Sequence, residues 1–226
     1  MSGLPETGLT LIRAAIGERF LRRWEIHERG QGLVPETGPV IIAANHSGWL
    51  DGPLLFVKAP RKVHALTKSD EFEGRNGLLL RAISQIKVHR DRVDTRALRQ
   101  AVSALEAGQA VGIFPEGLRG DGELTRIKQG IGYLALVSGA PIVPLAIFGT
   151  REEGAPSDFR PEPGARIDLV YGDPFSFDPV PWPRTSLAIE ETTEQIHRSL
   201  LDHLEHAKSV TSRTLPGPLP AGATDV

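Results

Sequence analysis

The chain has no cysteine among its 226 residues, which removes disulfides, thiolate metal sites, iron–sulfur clusters and a cysteine nucleophile together. Any nucleophile of the protein is then an oxygen or a nitrogen. The first residues, MSGLPETG, have no basic stretch leading into an apolar core, so no signal peptide and a cytoplasmic location are expected. Long uncharged runs are scarce. The one long enough to suggest a membrane span, Ile131 to Thr150, contains Gly132, Gly139, Pro141 and Pro144 and fits a helix end, a turn and a buried strand better. There is no G-x-S-x-G elbow for an α/β-hydrolase serine and no G-x-x-x-x-G-K-[ST] loop for a nucleotide. No internal repeat is visible.

What is present is an ordinary globular composition, 40% apolar and 24% charged. A single domain of this length buries about 70% of the surface its unfolded chain exposes. The net charge of −2 hides an asymmetry: residues 58–99 hold 11 Lys and Arg against 5 Asp and Glu, while residues 100–226 hold 10 against 17. A local basic excess attracts phosphate, nucleic acid or an anionic membrane, and composition does not choose among them.

Residues 9–24 place Ile12, Ile16, Phe20 and Trp24 four apart, with Leu9, Ala15 and Leu21 beside them and Arg13, Arg19, Arg22 and Arg23 interleaved. This is the pattern of a basic amphipathic helix, which either docks its stripe on the core or lies in a membrane interface. We assign residues 1–30 to that segment and residues 31–208 to the main domain. Within the domain, strands are expected over 39–44, 62–67, 86–89, 110–114, 142–148 and 166–171. Helices are expected over 52–57, 76–83, 95–107 (ended by Gly108), 128–137 and 186–208. Strands separated by helices argue for parallel βαβ units, with function at the loops leaving the strands. Residues 209–226, rich in Pro, Gly and small side chains, are expected to be disordered.

Two strand exits are unusually polar: Asn45-His46-Ser47-Gly48-Trp49-Leu50-Asp51 and Pro115-Glu116-Gly117-Leu118-Arg119-Gly120. His46 and Asp51 lie about 140° apart on a helical wheel, so they meet only across a turn. If they do, the carboxylate holds the Nδ1 proton and leaves Nε2 as a base; otherwise Asp51 merely caps the next helix. Glu116 and Arg119 either form a local ion pair or bind a phosphate and a hydroxyl, and Lys68 and Arg90 at two further strand ends fit the same anion. Gly130 to Ala135 matches a dinucleotide pattern but follows no strand. His203 and His206 lie one turn apart without a third metal ligand, and are expected to be solvated.

These blocks resemble the glycerolipid acyltransferases typified by 1-acylglycerol-3-phosphate acyltransferase. Asn45-His46 with Asp51 is similar to their N-H-x4-D motif, Ile86 to Arg90 to the block closing on arginine, Phe114 to Arg119 to F-P-E-G-x-R, and Ile142 to Ala146 to the apolar V-P block. The resemblance implies a single α/β domain with a mostly parallel sheet flanked by helices. It implies transfer of an acyl group from acyl-CoA or acyl-carrier protein to a lysophospholipid or glycerol phosphate, above all 1-acylglycerol-3-phosphate, giving phosphatidic acid. By carry-over His46 is the base and Asp51 orients it, while Asn45, Lys68, Arg90, Glu116, Gly117 and Arg119 bind substrate. No acyl-enzyme, cofactor or metal is implied, nor a nucleic-acid partner. Lipid substrates turn the balance for residues 9–24 toward the interface, placing the chain peripherally on the cytoplasmic face of a membrane. Backbone amides near the first turn are expected to hold the oxyanion. The sequence departs from the common pattern at Gly48, Leu118 and Gly120, leaving acceptor identity open. A catalytically silent lipid-binding adaptor and a metal-dependent phosphoesterase are the competing expectations.

Overall fold

The computed structural model of the chain describes residues 3–6, 10, 12–13, 17–90 and 93–223. Seven strands form one sheet in the order β1-β7-β6-β2-β5-β3-β4. They are β1 (Glu25–Arg29), β2 (Val40–Ala44), β3 (Val63–Lys68), β4 (Ile86–Val88), β5 (Ala110–Ile113), β6 (Ile142–Phe148) and β7 (Arg166–Tyr171). All neighbouring pairs are parallel except β6 with β7. Among the described residues the helices with defined bounds are α1 (Glu18–Leu21), α2 (Asp51–Lys58), α3 (Gly74–Ala82), α4 (Thr95–Glu106), α5 (Gly130–Ser138) and α6 (Ser186–Thr211).

The central strands β2 and β6 are buried at every position, which is why their sequences, VIIAA and IVPLAIF, run apolar without alternation. One apolar layer joins this sheet to α4, α5 and α6 through residues such as Ala101, Leu134 and Leu200; the other joins it to α2 and to Leu21. Helix α4 shows how local signals fix an element. The Asp94 carboxylate accepts from the amides of Arg96 and Ala97 at its start, and Gly108, at φ +74°, turns the chain beyond its end.

The α/β architecture agrees with the sequence expectation, and three details correct it. Residues 25–29 are not helical: they form the edge strand β1, in register with β7 from Glu25↔Arg166 to Arg29↔Val170. Charges at Glu25, Glu28 and Arg29, common on exposed edges, hide its strand character in the sequence. The described part of the N-terminal stripe docks on the core, because Leu21 is buried, Phe20 meets Trp24 and Trp49 edge-on at 5.3 and 6.1 Å, and the Trp24 indole donates to the Pro161 carbonyl. Leu9, Ala15 and Ile16, which complete the expected helix, lie outside the described residues. The third correction is the C-terminus. Helix α6 runs to Thr211, and the segment after it is held in place: Pro216 is buried, Leu215 packs on the core, and Arg213 pairs with Asp168 at 3.1 Å. Poor composition prevents such a segment from building its own core, but it can still borrow one. Among the described residues no helix is long and apolar enough to cross a membrane.

Candidate active site

The exits of β2, β5, β3 and β4 lie side by side because those strands are neighbours in the sheet. Strand β2 ends at Ala44 and delivers Asn45, whose side chain continues the ladder: its amide donates to the Ile147 carbonyl at 3.1 Å and its carbonyl accepts from the Ile147 amide at 2.7 Å. Asn45 is therefore a buried clamp between β2 and β6, and this corrects its expected place among the substrate ligands.

His46 and Asp51 do meet across the turn. Nδ1 lies 2.8 Å from Asp51 Oδ2, and the same oxygen accepts from the amides of Ser47 at 2.8 Å and Gly48 at 2.9 Å. Asp51 is the first residue of α2, but its carboxylate makes no cap hydrogen bond to that helix and turns back to the preceding loop, so the His-orienting alternative is realised and the helix-capping one is not. The arrangement fixes the ring through Nδ1 and leaves Nε2 for a substrate hydroxyl. It also commits the two turn amides to Asp51, so Ser47 and Gly48 do not supply the expected oxyanion donors. The Phe114 ring stacks on the imidazole at 4.0 Å with a 20° interplanar angle.

Glu116 and Arg119 take different partners. Glu116 Oε1 accepts the His46 backbone amide at 2.8 Å, whereas Arg119 Nη2 reaches Glu71 Oε1 at 2.9 Å, on the 3-10 turn Ser69–Phe72 after β3. Burial pushes the Glu116 carboxyl up to about 8, with Asp121, Asp51 and Glu123 adding to the effect and the His46 amide opposing it. Gly117 is the turn itself: φ is +76°, and a Cβ there would lie 2.5 Å from Lys128 Cε. It acts through backbone shape, which only glycine supplies at that approach.

Lys68 and Arg90 come together, but Glu116 and Arg119 do not line the pocket they share. Lys68 and Arg90 line this polar pocket of about 470 Å³ with Lys87, His89, Asp70 and Glu73, and in it Lys68 Nζ lies 3.0 Å from Asp70. Beside it runs a groove of about 910 Å³ bounded by Leu66, Val88, Leu98, Ile113, Phe114 and Tyr133. Phe114 thus touches both the groove and the His46 ring, and Arg90 lines both cavities. Sequence reasoning missed Phe114, Lys87, Lys128 and Arg151. Phe114 and Lys87 stood within the motif blocks; Lys128, which covers Gly117 and donates to the Arg90 carbonyl at 3.3 Å, had no local signal. His206 is exposed as expected, whereas His203 is half-buried: its Nε2 lies 2.9 Å from the Val170 carbonyl, and burial lowers its pKa.

The Acyltransferase family profile matches residues 25–148, more than half of the chain. The chain belongs to the acyltransferase family. This acyltransferase is 28% identical over 177 residues to a 1-acyl-sn-glycerol-3-phosphate acyltransferase of Bacillus subtilis, covering 76% of this chain and 86% of that protein. It is 30% identical over 168 residues to a lyso-ornithine lipid O-acyltransferase of Pseudomonas aeruginosa, covering 70% of this chain and 62% of that one. Its fold is like that of the crystal structure of the 1-acyl-sn-glycerophosphate (LPA) acyltransferase from Thermotoga maritima, with a TM-score of 0.61 at 21% identity, covering 87% of this chain and 80% of that one. The acyltransferase match starts at Glu25, the first residue of β1, and ends at Phe148, the last of β6.

Proposed function

We propose that this acyltransferase moves a fatty acyl group from a thioester, acyl-CoA or acyl-carrier protein, to the free hydroxyl of 1-acylglycerol-3-phosphate, giving phosphatidic acid. The observation that carries this is the buried contact of His46 Nδ1 with Asp51 Oδ2 at 2.8 Å, beside an apolar groove and a basic pocket. His46 Nε2 takes the hydroxyl proton as the acceptor oxygen bonds to the thioester carbonyl carbon. The tetrahedral intermediate then breaks its C–S bond, and the thiolate leaves with the proton returned from His46. Because the thiolate is a good leaving group, positioning is the main task. Lys68, Arg90 and Arg119 supply positive charge for the acceptor phosphate; Glu116, largely protonated at neutral pH, offers an O–H as well as its contact to His46. The apolar groove suits an acyl chain, since Phe114 brings its wall against the catalytic ring. Acceptor and product are lipids, so the enzyme works peripherally at the cytoplasmic face of a membrane.

A second acceptor class has one observation in its favour. The polar pocket carries both signs, Lys68, Lys87 and Arg90 with Asp70 and Glu73, which also fits a zwitterionic headgroup such as that of a lyso-ornithine lipid. The deciding experiment follows thiol release and lipid product with long-chain acyl-CoA or acyl-carrier protein and each lysolipid in turn, with His46→Ala beside the wild type. Phosphatidic acid formation lost in the variant is the expected result. Thiol release with lyso-ornithine lipid alone would move the assignment to that acceptor, and no release with any lysolipid would leave a silent lipid-binding protein.

A further inference from the structure

Arg151 follows the left-handed Gly149 at the end of β6 and is 4% exposed. Its guanidinium is spread over four backbone carbonyls from four segments. Nε donates to Ser47 at 2.9 Å, Nη1 to Ala155 at 2.9 Å, and Nη2 to Gly120 at 2.9 Å and also to Gly217. Ser47 is next to the base. Gly120 closes the loop that bears Glu116 and Arg119, and its own amide donates to the His46 carbonyl at 2.9 Å. Gly217 belongs to the segment after α6, whose start is fixed separately by Arg213 on Asp168 and on the Arg166 carbonyl.

The same three segments touch at Gly122. A Cβ there would lie 3.1 Å from Asn45 Nδ2, 3.2 Å from Ser47 Cβ and 3.3 Å from Leu215 Cδ2, and φ is +75°. Burial lowers the Arg151 pKa, so holding this charge inside the protein opposes folding. An apolar side chain of similar volume would fill the space without that desolvation. What a planar fork adds is a fixed spacing among several carbonyls at once. Ser47 is held from both sides, its amide by Asp51 and its carbonyl by Arg151.

We propose that Arg151 is a positioning residue for acyl transfer, locking the His46–Asp51 turn, the Glu116–Gly120 loop and the C-terminal segment 212–217 into one unit. The kinetic side of this rests on the acyltransferase activity proposed above; the spectroscopic side does not. Ser47, Gly120, Ala155 and Gly217, whose carbonyls Arg151 holds, are not among the residues lining the groove proposed for the acyl chain, so the donor KM is expected to change less than kcat.

The test compares full-length Arg151→Met and Arg151→Lys with the wild type, by steady-state kinetics with acyl-CoA and lysophosphatidic acid and by proton NMR of the His46 Nδ1–H, assigned by its absence in His46→Ala. In Arg151→Met, kcat is expected to fall by about 10- to 100-fold with the donor KM within about twofold, the signature of lost alignment. Arg151→Lys is expected to recover part of kcat. The Nδ1–H resonance should broaden or move in the methionine variant before any substrate is added. A folded Arg151→Met with wild-type kcat and an unmoved resonance overturns the proposal. If that variant does not fold, Arg213→Ala decides, because it loosens the C-terminal segment and leaves Arg151 in place. Faster hydrogen exchange at 214–217 with kcat lowered several-fold supports the lock, and faster exchange with unchanged kcat overturns it. Should the wild type fail to acylate lysophosphatidic acid, the resonance still reports on Arg151, so the two failures are distinguishable.

Discussion

Asp51 Oδ2 accepts from His46 Nδ1 at 2.8 Å while also accepting the amides of Ser47 and Gly48, so one oxygen both orients the imidazole and shapes the turn that carries it. If His46 is the base proposed above, removing it and removing Asp51 are expected to differ in outcome. His46→Ala is expected to abolish turnover while leaving the protein folded. Asp51→Asn is expected to lose about 10⁴ in kcat, as the tautomer is no longer held, and to melt measurably lower because two backbone amides lose a charged acceptor. Thermal melts beside thiol-release kinetics check both.

Glu116 gives a pH-dependent stability of defined sign. Its carboxyl is raised from an ordinary 4.5 to about 8, so between those values the folded protein keeps a proton that the unfolded chain has released. The contribution of this group to stability therefore declines as pH rises from about 4.5 to about 8. Glu116→Gln is expected to be more stable than wild type at pH 8, with the difference shrinking toward pH 5, although its acyl transfer is weakened. Urea unfolding at both pH values measures this; a difference that grows toward pH 5 would contradict it.

Two glycines at which the chain departs from the family pattern are expected to tolerate serine unequally. A Cβ on Gly48 would lie 2.7 Å from the Thr150 carbonyl, whereas one on Gly120 would meet nothing closer than Leu118 Cδ1 at 3.6 Å. Gly48→Ser is expected to cost about 1–3 kcal/mol and to disturb the His46 turn. Gly120→Ser is expected to stay within about 0.5 kcal/mol of wild type. Denaturant midpoints and kcat for the two variants provide the comparison.

Gly130 lines the apolar groove at the start of α5, and a Cβ there would still be 3.8 Å from Leu98. Gly130→Phe is expected to fill the groove without strain on the backbone and to reduce kcat/KM for long-chain thioesters by about tenfold relative to short ones. A panel of acyl-CoA chain lengths tests it; equal losses at every length would place the acyl chain elsewhere.

Much of this molecule is written locally. Continuous apolar runs such as VIIAA identify buried parallel strands, the Leu and Ala spacing of 95–107 with Gly108 identifies a helix and its end, and the polar exits after β2 and β5 stand out by contrast. Those patterns depend on period and turn chemistry, which are properties of neighbouring residues. β1 escaped because its edge position lets charges occupy a strand.

The chain's order of residues by itself determined the α/β class and the helix and strand alternation, because each depends on residues a few positions apart, and it left His46 and Asp51 with two alternatives that the turn geometry decided. Only the tertiary structure decided that Asn45 is spent on Ile147, that Glu116 supports the His46 backbone while Arg119 turns to Glu71, and that Arg151 ties the turn to Gly120 and Gly217. Those partners lie 48 to 102 residues from the groups they hold in most cases, and even the shortest link, Arg151 to Gly120, spans 31. They meet because the sheet sets β2 between β5 and β6, and a hydrogen bond is made by whatever that packing brings within reach.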